Sequence, residues 1–326
     1  MKEKTHKKGK LKKLLAIIVP VVVILGLGFF VSIWYWGKSY PEFDAVACRE
    51  RPIPGLDSGL SPQGLCPLPE ESGFEFAMSG YISGEASRVY FIGETEKYVT
   101  LKQDGKVVKT HFGGITCAGD SLYIASGKGV IQISLSDALA AADGGEVEVT
   151  GEITAKLRGA AYCYYADGTL YIGEFYRPGN YETDESHHMT ENGETNYALV
   201  WMYREREDGF EEEPYAAISV REQVQGIAVW EDGIALSTSY GLPDSTIWFH
   251  KNVLNETPHG EFEGVPLYRL DSTNLVKTLR APCMSEEIFV GNGRIYILFE
   301  SLSKKYRYFV RRRVSCIYSI PLKNIL

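Results

Sequence analysis

A short pattern recurs five times along this 326-residue chain. Each copy joins an apolar strand, a turn containing Gly, Asp or Asn, and a second strand that opens on apolar and aromatic residues. The second strands begin at Val89-Tyr90-Phe91, Leu122-Tyr123-Ile124, Leu170-Tyr171-Ile172, Ile234-Ala235-Leu236 and Ile295-Tyr296-Ile297. Intervals of roughly 33 to 64 residues are typical of repeat architectures, in which each copy is one supersecondary unit.

The repeats predict an all-β fold of the β-propeller type. In the second copy, four short strands with turn residues between them occupy residues 114–155, which is the composition of one propeller blade. We prefer five blades, with six as the alternative. A β-sandwich also alternates strands and turns, but it does not explain the fixed order of turn and aromatic residue. The last blade lacks an outer strand, and residues 52–74 are candidates to supply it or to form a capping loop.

The N-terminal segment has a different character, because seven lysines precede an uncharged run at residues 14–37. About 20 apolar residues cross a bilayer, and residues 34–36 (Trp, Tyr, Trp) suit an interfacial aromatic belt. Lysines before a span hold the N-terminus in the cytoplasm, so the chain after Lys38 is predicted to lie outside. The alternative is a signal peptide cleaved after Ala45-Val46-Ala47. We favour a retained anchor, because this triplet lies far beyond the apolar run.

These features divide the chain into four predicted parts. They are a basic cytoplasmic tail (1–13), a transmembrane signal-anchor (14–37), a Pro-rich extracytoplasmic linker (38–73) and the β-propeller domain (74–326). The predicted protein is therefore single-pass in the cell membrane, with the propeller outside.

The exported part is acidic. The tail contributes +6 to a formal net charge of −8, so the remaining chain carries −14. Such acidity disfavours nucleic acid as a partner. A basic cluster in the last repeat is the exception, and we interpret it as a solvated strand face or as a site for an anionic ligand. Its members are Lys304, Lys305, Arg307, Arg311, Arg312 and Arg313.

Six cysteines in an exported chain predict disulfides, since the compartment is oxidising and no C-x-x-C spacing occurs. Position along the repeats suggests three pairs, although free thiols remain the alternative in a reducing environment. The pairs are Cys48 with Cys66, Cys117 with Cys163, and Cys283 with Cys316.

Candidate ligand-binding residues are those expected near the central channel. Glu286, Glu287 and Gln225 come at the start of innermost strands. Carboxylates also end second strands, at Glu94, Glu174 and Glu300. If such ends met on one face, the carboxylates could chelate a hard cation such as Ca²⁺ or serve as acid and base. Each could instead lie in a solvated loop.

Two polar segments add further candidates. The longest insertion, residues 176–196, contains Arg177 and Tyr181, and loops on a rigid scaffold often carry binding residues. It also contains His187-His188, which we interpret as part of a surface loop, because adjacent histidines on an extended chain point in opposite directions. Residues 237–241 offer hydroxyl groups suited to a sugar or to a tight turn.

The sequence resembles a known superfamily at the level of blade consensus. The segment Gln225-Gly226-Ile227-Ala228, followed by Asp232-Gly233, and the Leu-Tyr-Ile second strands are similar to exported propellers of the NHL, SMP-30/gluconolactonase and strictosidine-synthase-like superfamily. The likeness covers most of residues 74–320. In the lactonase branch it implies a channel Ca²⁺ held by a Glu of the first blade with Asn and Asp from others. Here Glu75 is the only acid near the first inner strand, and no innermost strand carries Asn or Asp in that phase.

Three functions therefore stay open. The first is a non-catalytic binding module for a glycan, a peptide or an envelope partner. The second is a divalent-metal-dependent hydrolase of lactones, phosphoesters or glycosidic bonds that uses channel carboxylates. The third is a structural assembly factor of the envelope. No serine nucleophile elbow, phosphate loop, zinc signature or haem motif occurs to decide between them.

Overall fold

The computed structural model describes residues 2–36 and 40–325, and the chain divides into two compact units, of which the second starts at Tyr40. The first unit is one α-helix, Lys2–Trp36. Its stretch Lys12–Ile33 is long and apolar enough to cross a membrane, as an anchor or as a signal sequence. The predicted end of the span at Gly37 and start of the linker at Lys38 lie outside the described residues, as do the side chains of residues 34–36.

The second unit contains five sheets of at least four strands each, antiparallel except for one parallel strand in each of two sheets, and we number them 1 to 5 in chain order of their innermost strands. From the inside outward, sheet 1 contains Ser61–Pro67, Phe76–Tyr81, Arg88–Ile92, Glu96–Gln103 and the parallel strand Gly145–Glu148, with Lys106–Val107 beside the fourth strand. Sheet 2 contains Ile115–Ala118, Ser121–Ser126, Gly129–Ser134 and Gly151–Thr154.

Sheet 3 is the largest. It contains Ala160–Ala166, Thr169–Glu174, Ala198–Arg206, Ala216–Val220, the parallel strand Val265–Arg269 and Gly260–Phe262, with Gly209–Phe210 beside the third strand. Sheet 4 contains Val224–Trp230, Gly233–Thr238, Ser245–Lys251 and Leu275–Ala281. Sheet 5 contains Ser285–Gly291, Arg294–Phe299, Cys316–Pro321 and Cys48–Pro52.

The remaining secondary-structure elements are short. A hairpin of Met189–Glu191 and Glu194–Asn196 lies in the long insertion. The short α-helices are Pro41–Val46 and Leu135–Ala140, and the 3₁₀ turns are Leu56–Ser58, Glu70–Ser72, Glu185–His187, Val253–Asn255 and Leu322–Asn324.

The five innermost strands form a closed ring. Each contacts the innermost strand of the next sheet, and that of sheet 5 contacts that of sheet 1. A sandwich of two sheets has no such cycle, so the predicted all-β, propeller-like fold is confirmed. Apolar side chains fill the spaces between successive sheets in three clusters, the largest of which includes Tyr162, Ile227 and Phe289.

The predicted hairpin turns are present between first and second strands. Asp167 and Gly168 have φ of 47° and 72°, and Asn292 and Gly293 have φ of 51° and 67°. Two consecutive residues with positive φ match the right-handed twist of the flanking strands, which explains the Asp-Gly and Asn-Gly pairs.

The ring is completed by a strand from the beginning of the domain. Cys48–Pro52 pairs with Cys316–Pro321, with Arg49 opposite Tyr318. Just before it, Phe43 is fully buried against Phe299 and Tyr318. The structure thus differs from the predicted linker at 38–73, because much of that segment belongs to the ring.

The first sheet is also displaced by one strand from the predicted phase. Its innermost strand is Ser61–Pro67, so Val89-Tyr90-Phe91 lies in the third strand and not the second. The prolines of this segment weaken the strand pattern in the sequence. Pro67 ends it, and Pro62 borders an irregularity in the pairing with Phe76–Tyr81, which are positions where a missing N–H is tolerated.

The predicted disulfides are not formed, since all six cysteines are free thiols. Cys48 is on the outermost strand of sheet 5, whereas Cys66 is on the innermost strand of sheet 1. Cys163 donates from Sγ to carbonyl oxygens of Gly114 and Tyr123, and Cys117 donates to Gly119, so these two side chains have separate partners. The remaining two, Cys283 and Cys316, lie in different hydrophobic clusters.

Candidate ligand-binding cleft

The innermost strands share a local irregularity near their first residues. In sheets 1, 3 and 4 the pairing with the second strand skips Gln63, Ala161 and Gln225 respectively. In sheet 5 the skipped residues are Glu286 and Glu287. A bulge of this kind re-aims the extra side chain. The repetition therefore gathers equivalent positions of several sheets at one end of the ring.

Glu287 occupies the middle of the ring. Its Oε2 accepts hydrogen bonds from the backbone N–H of Ile115 at 2.6 Å and of Leu65 at 3.4 Å, while its Oε1 has no partner among the described residues. These donors belong to sheets 2 and 1. One side chain of sheet 5 thus connects the innermost strands of two other sheets.

Glycine makes this arrangement possible. A Cβ on Gly114 would lie 2.5 Å from Glu287 Oε1, and a Cβ on Gly226 would lie 2.7 Å from the Glu287 Cα. Contacts that short are not tolerated. Burial raises the pKa of Glu287 well above its ordinary value, although the backbone donors oppose this shift.

A cavity of about 680 Å³ opens at the bulged end of the ring, where innermost strands begin and second strands end. Four of the seven predicted ligand-binding residues line it: Glu174, Tyr181, Gln225 and Glu300. Its other polar and aromatic lining residues are Gln63, Tyr81, His111, Arg158, Phe175, Asn180, Glu182, Thr183, Ser239, Tyr240, Lys305 and Tyr306.

One wall of the cleft is a chain of hydrogen bonds. Gln63 donates from Nε2 to Glu300 Oε2 at 3.2 Å, and its Oε1 lies 2.8 Å from His111 Nε2. The His111 ring in turn packs on Tyr81, with 4.0 Å between the ring centroids. Burial, helped by the charge of Lys305, lowers the pKa of His111 to about 4, so its ring is neutral and donates from Nε2.

Two buried carboxyl groups lie at this wall. Burial raises the pKa of Glu300 to about 8, although Lys305 and the Gln63 amide oppose the shift. Glu286 is 2% exposed, and its pKa is raised by burial first and then by the nearby carboxyls of Glu300 and Glu287. Glu286 Oε1 has no hydrogen-bond partner among the described residues. With a pKa of about 8, Glu300 keeps its proton near neutral pH.

A second wall is aromatic. Phe175, Tyr181 and Tyr240 pack against one another with ring centroids 5.4 to 6.4 Å apart. The guanidinium of Arg177 lies 3.8 Å from the centre of the Tyr240 ring. Tyr181 is 54% exposed, so its ring is available to a ligand. Arg177 supports this wall without lining the cleft.

Glu174 has a structural partner. His187 donates from Nδ1 to Glu174 Oε1 at 2.6 Å, and the Leu199 N–H donates to the same atom at 3.1 Å. His187 is only 4% exposed, so the interpretation of His187-His188 as a surface loop is wrong for this residue. The contact fixes the base of the long insertion to sheet 3.

Other predicted site residues are placed elsewhere. Glu94 and Glu75 both form ion pairs with Arg51, at 2.8 and 2.5 Å, away from the cleft. Ser237 and Ser245 are buried and bond to Ser285, so they serve the packing of sheet 4 on sheet 5. Within the described part of the chain, no three His, Cys, Asp or Glu side chains are grouped to hold a metal ion.

Sequence reasoning missed Gln63, Tyr81, His111 and Tyr306. The first two lie on strands of the displaced first sheet, and His111 precedes the innermost strand of sheet 2. A signal existed for Gln63, because it occupies the same place in its strand as Gln225. Recognising it required placing Ser61–Pro67 as an innermost strand.

Comparison with known proteins adds little beyond the fold. No family model matches the chain, and no curated protein matches it. Similar solved structures include the PQQ-bound aldose sugar dehydrogenase of Streptomyces coelicolor (12% identity, 84% of this chain and 97% of that chain, TM-score 0.48). A putative oxidoreductase (glucose dehydrogenase) of Thermus thermophilus gives 10% identity, 84% and 99% coverage and a TM-score of 0.41.

A third similar structure is the glutaminyl cyclase of Myxococcus xanthus (12% identity, 78% of this chain and 91% of that chain, TM-score 0.41). Likeness at these values says nothing about activity. The narrower resemblance to the NHL, SMP-30/gluconolactonase and strictosidine-synthase-like superfamily stays a prediction.

Proposed function

We propose that this protein is a membrane-anchored binding module with five blades, which takes a neutral glycan into the cleft outside the cell membrane. The observation that carries the proposal is the pairing of an exposed aromatic wall with a wall of uncharged hydrogen-bonding groups. Pockets with a mainly apolar surface and a few convergent polar groups are the usual form of small-ligand sites.

The chemistry of the two walls suits a sugar ring. A pyranose has an apolar face of C–H groups that can stack on Tyr181 and Tyr240, and hydroxyl groups that both donate and accept. Gln63, Gln225 and protonated Glu300 also donate and accept. Because Glu300 keeps its proton near neutral pH, the ligand meets no bare carboxylate at this wall.

Blade number and anchoring belong to the same proposal. The cycle of five innermost strands supports five blades. The apolar helix supports an anchor, and the preceding lysines support an N-terminus in the cytoplasm. Anchoring would hold the cleft near envelope polysaccharides.

The test is a glycan array probed with the full-length protein in detergent micelles, followed by calorimetry on the best ligand. We expect Tyr181→Ala and Tyr240→Ala each to weaken binding about tenfold, as for an aromatic residue central to a binding site. Tyr308→Ala is the matched control, since Tyr308 is 65% exposed and does not line the cleft. Equal losses in all three variants would contradict the proposal.

The same variants separate the other binding hypotheses. If no glycan binds but an envelope protein is retained by the wild type and lost by Tyr181→Ala and Tyr240→Ala, the cleft recognises a polypeptide. If that partner is retained by every cleft variant, the protein acts as an assembly factor through another surface.

A hydrolase is the second candidate, and Glu300 is the observation that favours it. A general acid must be protonated at working pH, and Glu300 meets this condition inside the cleft. Bound oligosaccharide would then be shortened by the wild type, while Glu300→Gln would bind without cleaving. Intact ligand after long incubation with the wild type would exclude glycosidase activity on that ligand.

A further inference from the structure

Residues 301–314 lie between the second and third strands of sheet 5. They carry the most exposed large aromatic side chains of the second unit, which we call the ring domain. Tyr308 is 65% exposed and Phe309 is 63% exposed. The segment is nevertheless fixed. The N–H of Phe309 donates to the Tyr306 carbonyl at 2.8 Å, and Val310 is buried against Cys283 and Met284. The two rings are therefore presented by a set of tight turns.

This segment is also strongly basic in an acidic domain. It contains six Lys and Arg residues and no Asp or Glu. Arg312 is 2.5 Å from Asp44, and Arg311 and Arg307 are each 3.5 Å from an acid, Asp244 and Asp57 respectively. Lys304 and Arg313 are exposed and have no acidic partner in the described part of the chain. Free positive charge thus surrounds the exposed rings.

Cations and aromatic rings are in direct contact here. The guanidinium carbons of Arg307 and Arg313 lie 5.2 and 6.0 Å from the centre of the Tyr308 ring. Aromatic side chains concentrate at the headgroup level of membranes, and lysine and arginine beside them attract anionic lipids. Exposed aromatic rings beside lysine and arginine therefore favour binding to the headgroup region of a membrane.

The position of the segment in the domain is consistent with this partner. Arg312 lies beside Tyr40, with 5.8 Å from its guanidinium carbon to the ring centre. In the sequence, only residues 37–39 separate Tyr40 from Trp36, the last residue of the apolar helix. Four Cα–Cα steps span at most about 15 Å. An anchored chain therefore holds the base of this segment close to the bilayer surface.

We propose that residues 301–314 form a membrane-docking surface that binds anionic phospholipid headgroups. Lys304, Arg307 and Arg313 contact lipid phosphates, and Tyr308 and Phe309 enter the headgroup layer. The proposal rests on the proposed anchoring, because the tether brings the surface to its lipid. It would fix the orientation of the ring domain relative to the membrane.

The experiment is hydrogen–deuterium exchange on the full chain in nanodiscs of phosphatidylcholine, with and without phosphatidylglycerol. We expect slower exchange in residues 301–314 only in the discs that contain phosphatidylglycerol, with the protection lost at high salt. Lys304→Glu/Arg313→Glu and Tyr308→Ser/Phe309→Ser should each abolish it. The matched control is Lys106→Glu/Lys109→Glu, which makes the same charge change at exposed lysines outside this segment.

A second measurement separates docking from anchoring. A fragment of residues 40–326 is first tested by thermal melting to confirm that it is folded. It is then sedimented with vesicles of the same two compositions. Loss of one cation should weaken binding to anionic vesicles about fivefold. If the full chain does not co-elute with nanodiscs but this fragment still sediments selectively, the anchoring fails and the docking surface stands. Equal sedimentation with both vesicles, or with Lys304→Glu/Arg313→Glu and wild type, would overturn the proposal.

Discussion

At the scale of single residues, the centre of the ring depends on glycines in two sheets that leave room for a glutamate side chain of a third. Sheets 2 and 4 have Gly114 and Gly226 where sheet 5 has Glu287. The vacated space admits one carboxyl group, which then satisfies backbone donors of two other sheets. Buried N–H groups without a partner are costly, so this side chain contributes to stability through donors that belong to its neighbours.

We therefore expect Glu287→Ala to lower the free energy of unfolding by at least about 2 kcal/mol, since each of the two orphaned donors costs about 1 to 3 kcal/mol. Glu287→Gln keeps an acceptor of the same shape and should lose less than about 1 kcal/mol. Urea unfolding monitored by tryptophan fluorescence measures both. Equal stability of the two variants would show that the backbone donors find other partners.

The raised pKa of Glu300 predicts a pH dependence. Below about pH 4.5 the group is protonated in both folded and unfolded chains, whereas between about pH 4.5 and 8 only the folded chain keeps the proton. Stability therefore falls as pH rises through this window, because ionisation favours the unfolded chain.

Glu300→Gln does not titrate, so its melting temperature should rise relative to wild type across the same window. Thermal melts of both proteins at matched ionic strength measure the difference. Parallel pH profiles for the two proteins would show that Glu300 ionises freely in the folded state.

Residue types at strand ends can be read from the sequence, whereas contacts between distant segments cannot. Glu286 and Glu287 stand out because an innermost strand has little reason to begin with two acids. Which of them faces the ring centre depends on a bulge that no local pattern reveals. His187 was missed because its partner Glu174 lies on a different element.

At the scale of elements, the segment before the repeats is part of the domain. The helix Pro41–Val46 and the strand Cys48–Pro52 complete sheet 5 and bury Phe43. The repeats predict most second strands, because the pattern of strand, turn and second strand lies within one short segment of the sequence. The pairing of Cys48–Pro52 is with the far end of the chain, and Ser61–Pro67 has prolines that weaken the strand pattern.

Phe43→Ala tests this placement. Removal of a fully buried phenylalanine should cost about 3 to 5 kcal/mol of unfolding free energy, through lost burial and a residual cavity. The matched control is Phe309→Ala, since Phe309 is 63% exposed and its removal should stay within about 0.5 kcal/mol. Denaturant unfolding gives both values. If Phe43→Ala left the free energy of unfolding unchanged, residues 40–47 would be part of a linker and not of the ring.

At the scale of the whole molecule, the same burial bears on the fate of the N-terminal helix. Cleavage after Ala47 would remove Tyr40 and Phe43, both almost completely buried. Tyr40 also donates a hydrogen bond to Asp244 at 2.7 Å. A processed chain would lose these contacts to sheets 4 and 5, so the fold favours retention of the residues that precede Ala47.

We expect the mature protein to be recovered from the membrane fraction with its N-terminal apolar helix still attached. Alkaline extraction should leave it in the membrane, and intact mass spectrometry should show the N-terminal lysines. A soluble product beginning at Cys48 would contradict this expectation. An Ala47→Leu variant is the control, since it blocks the small-residue cleavage site and should change nothing in a retained anchor.

The pairing of Cys48–Pro52 with Cys316–Pro321 also sets a schedule for folding. The strand Cys48–Pro52 is synthesised about 270 residues before its partner, so the two can pair only after Cys316–Pro321 has been made. Until then the ring is open and one edge of Arg294–Phe299 is unpaired. Closure of the ring therefore comes after the synthesis of the other four sheets.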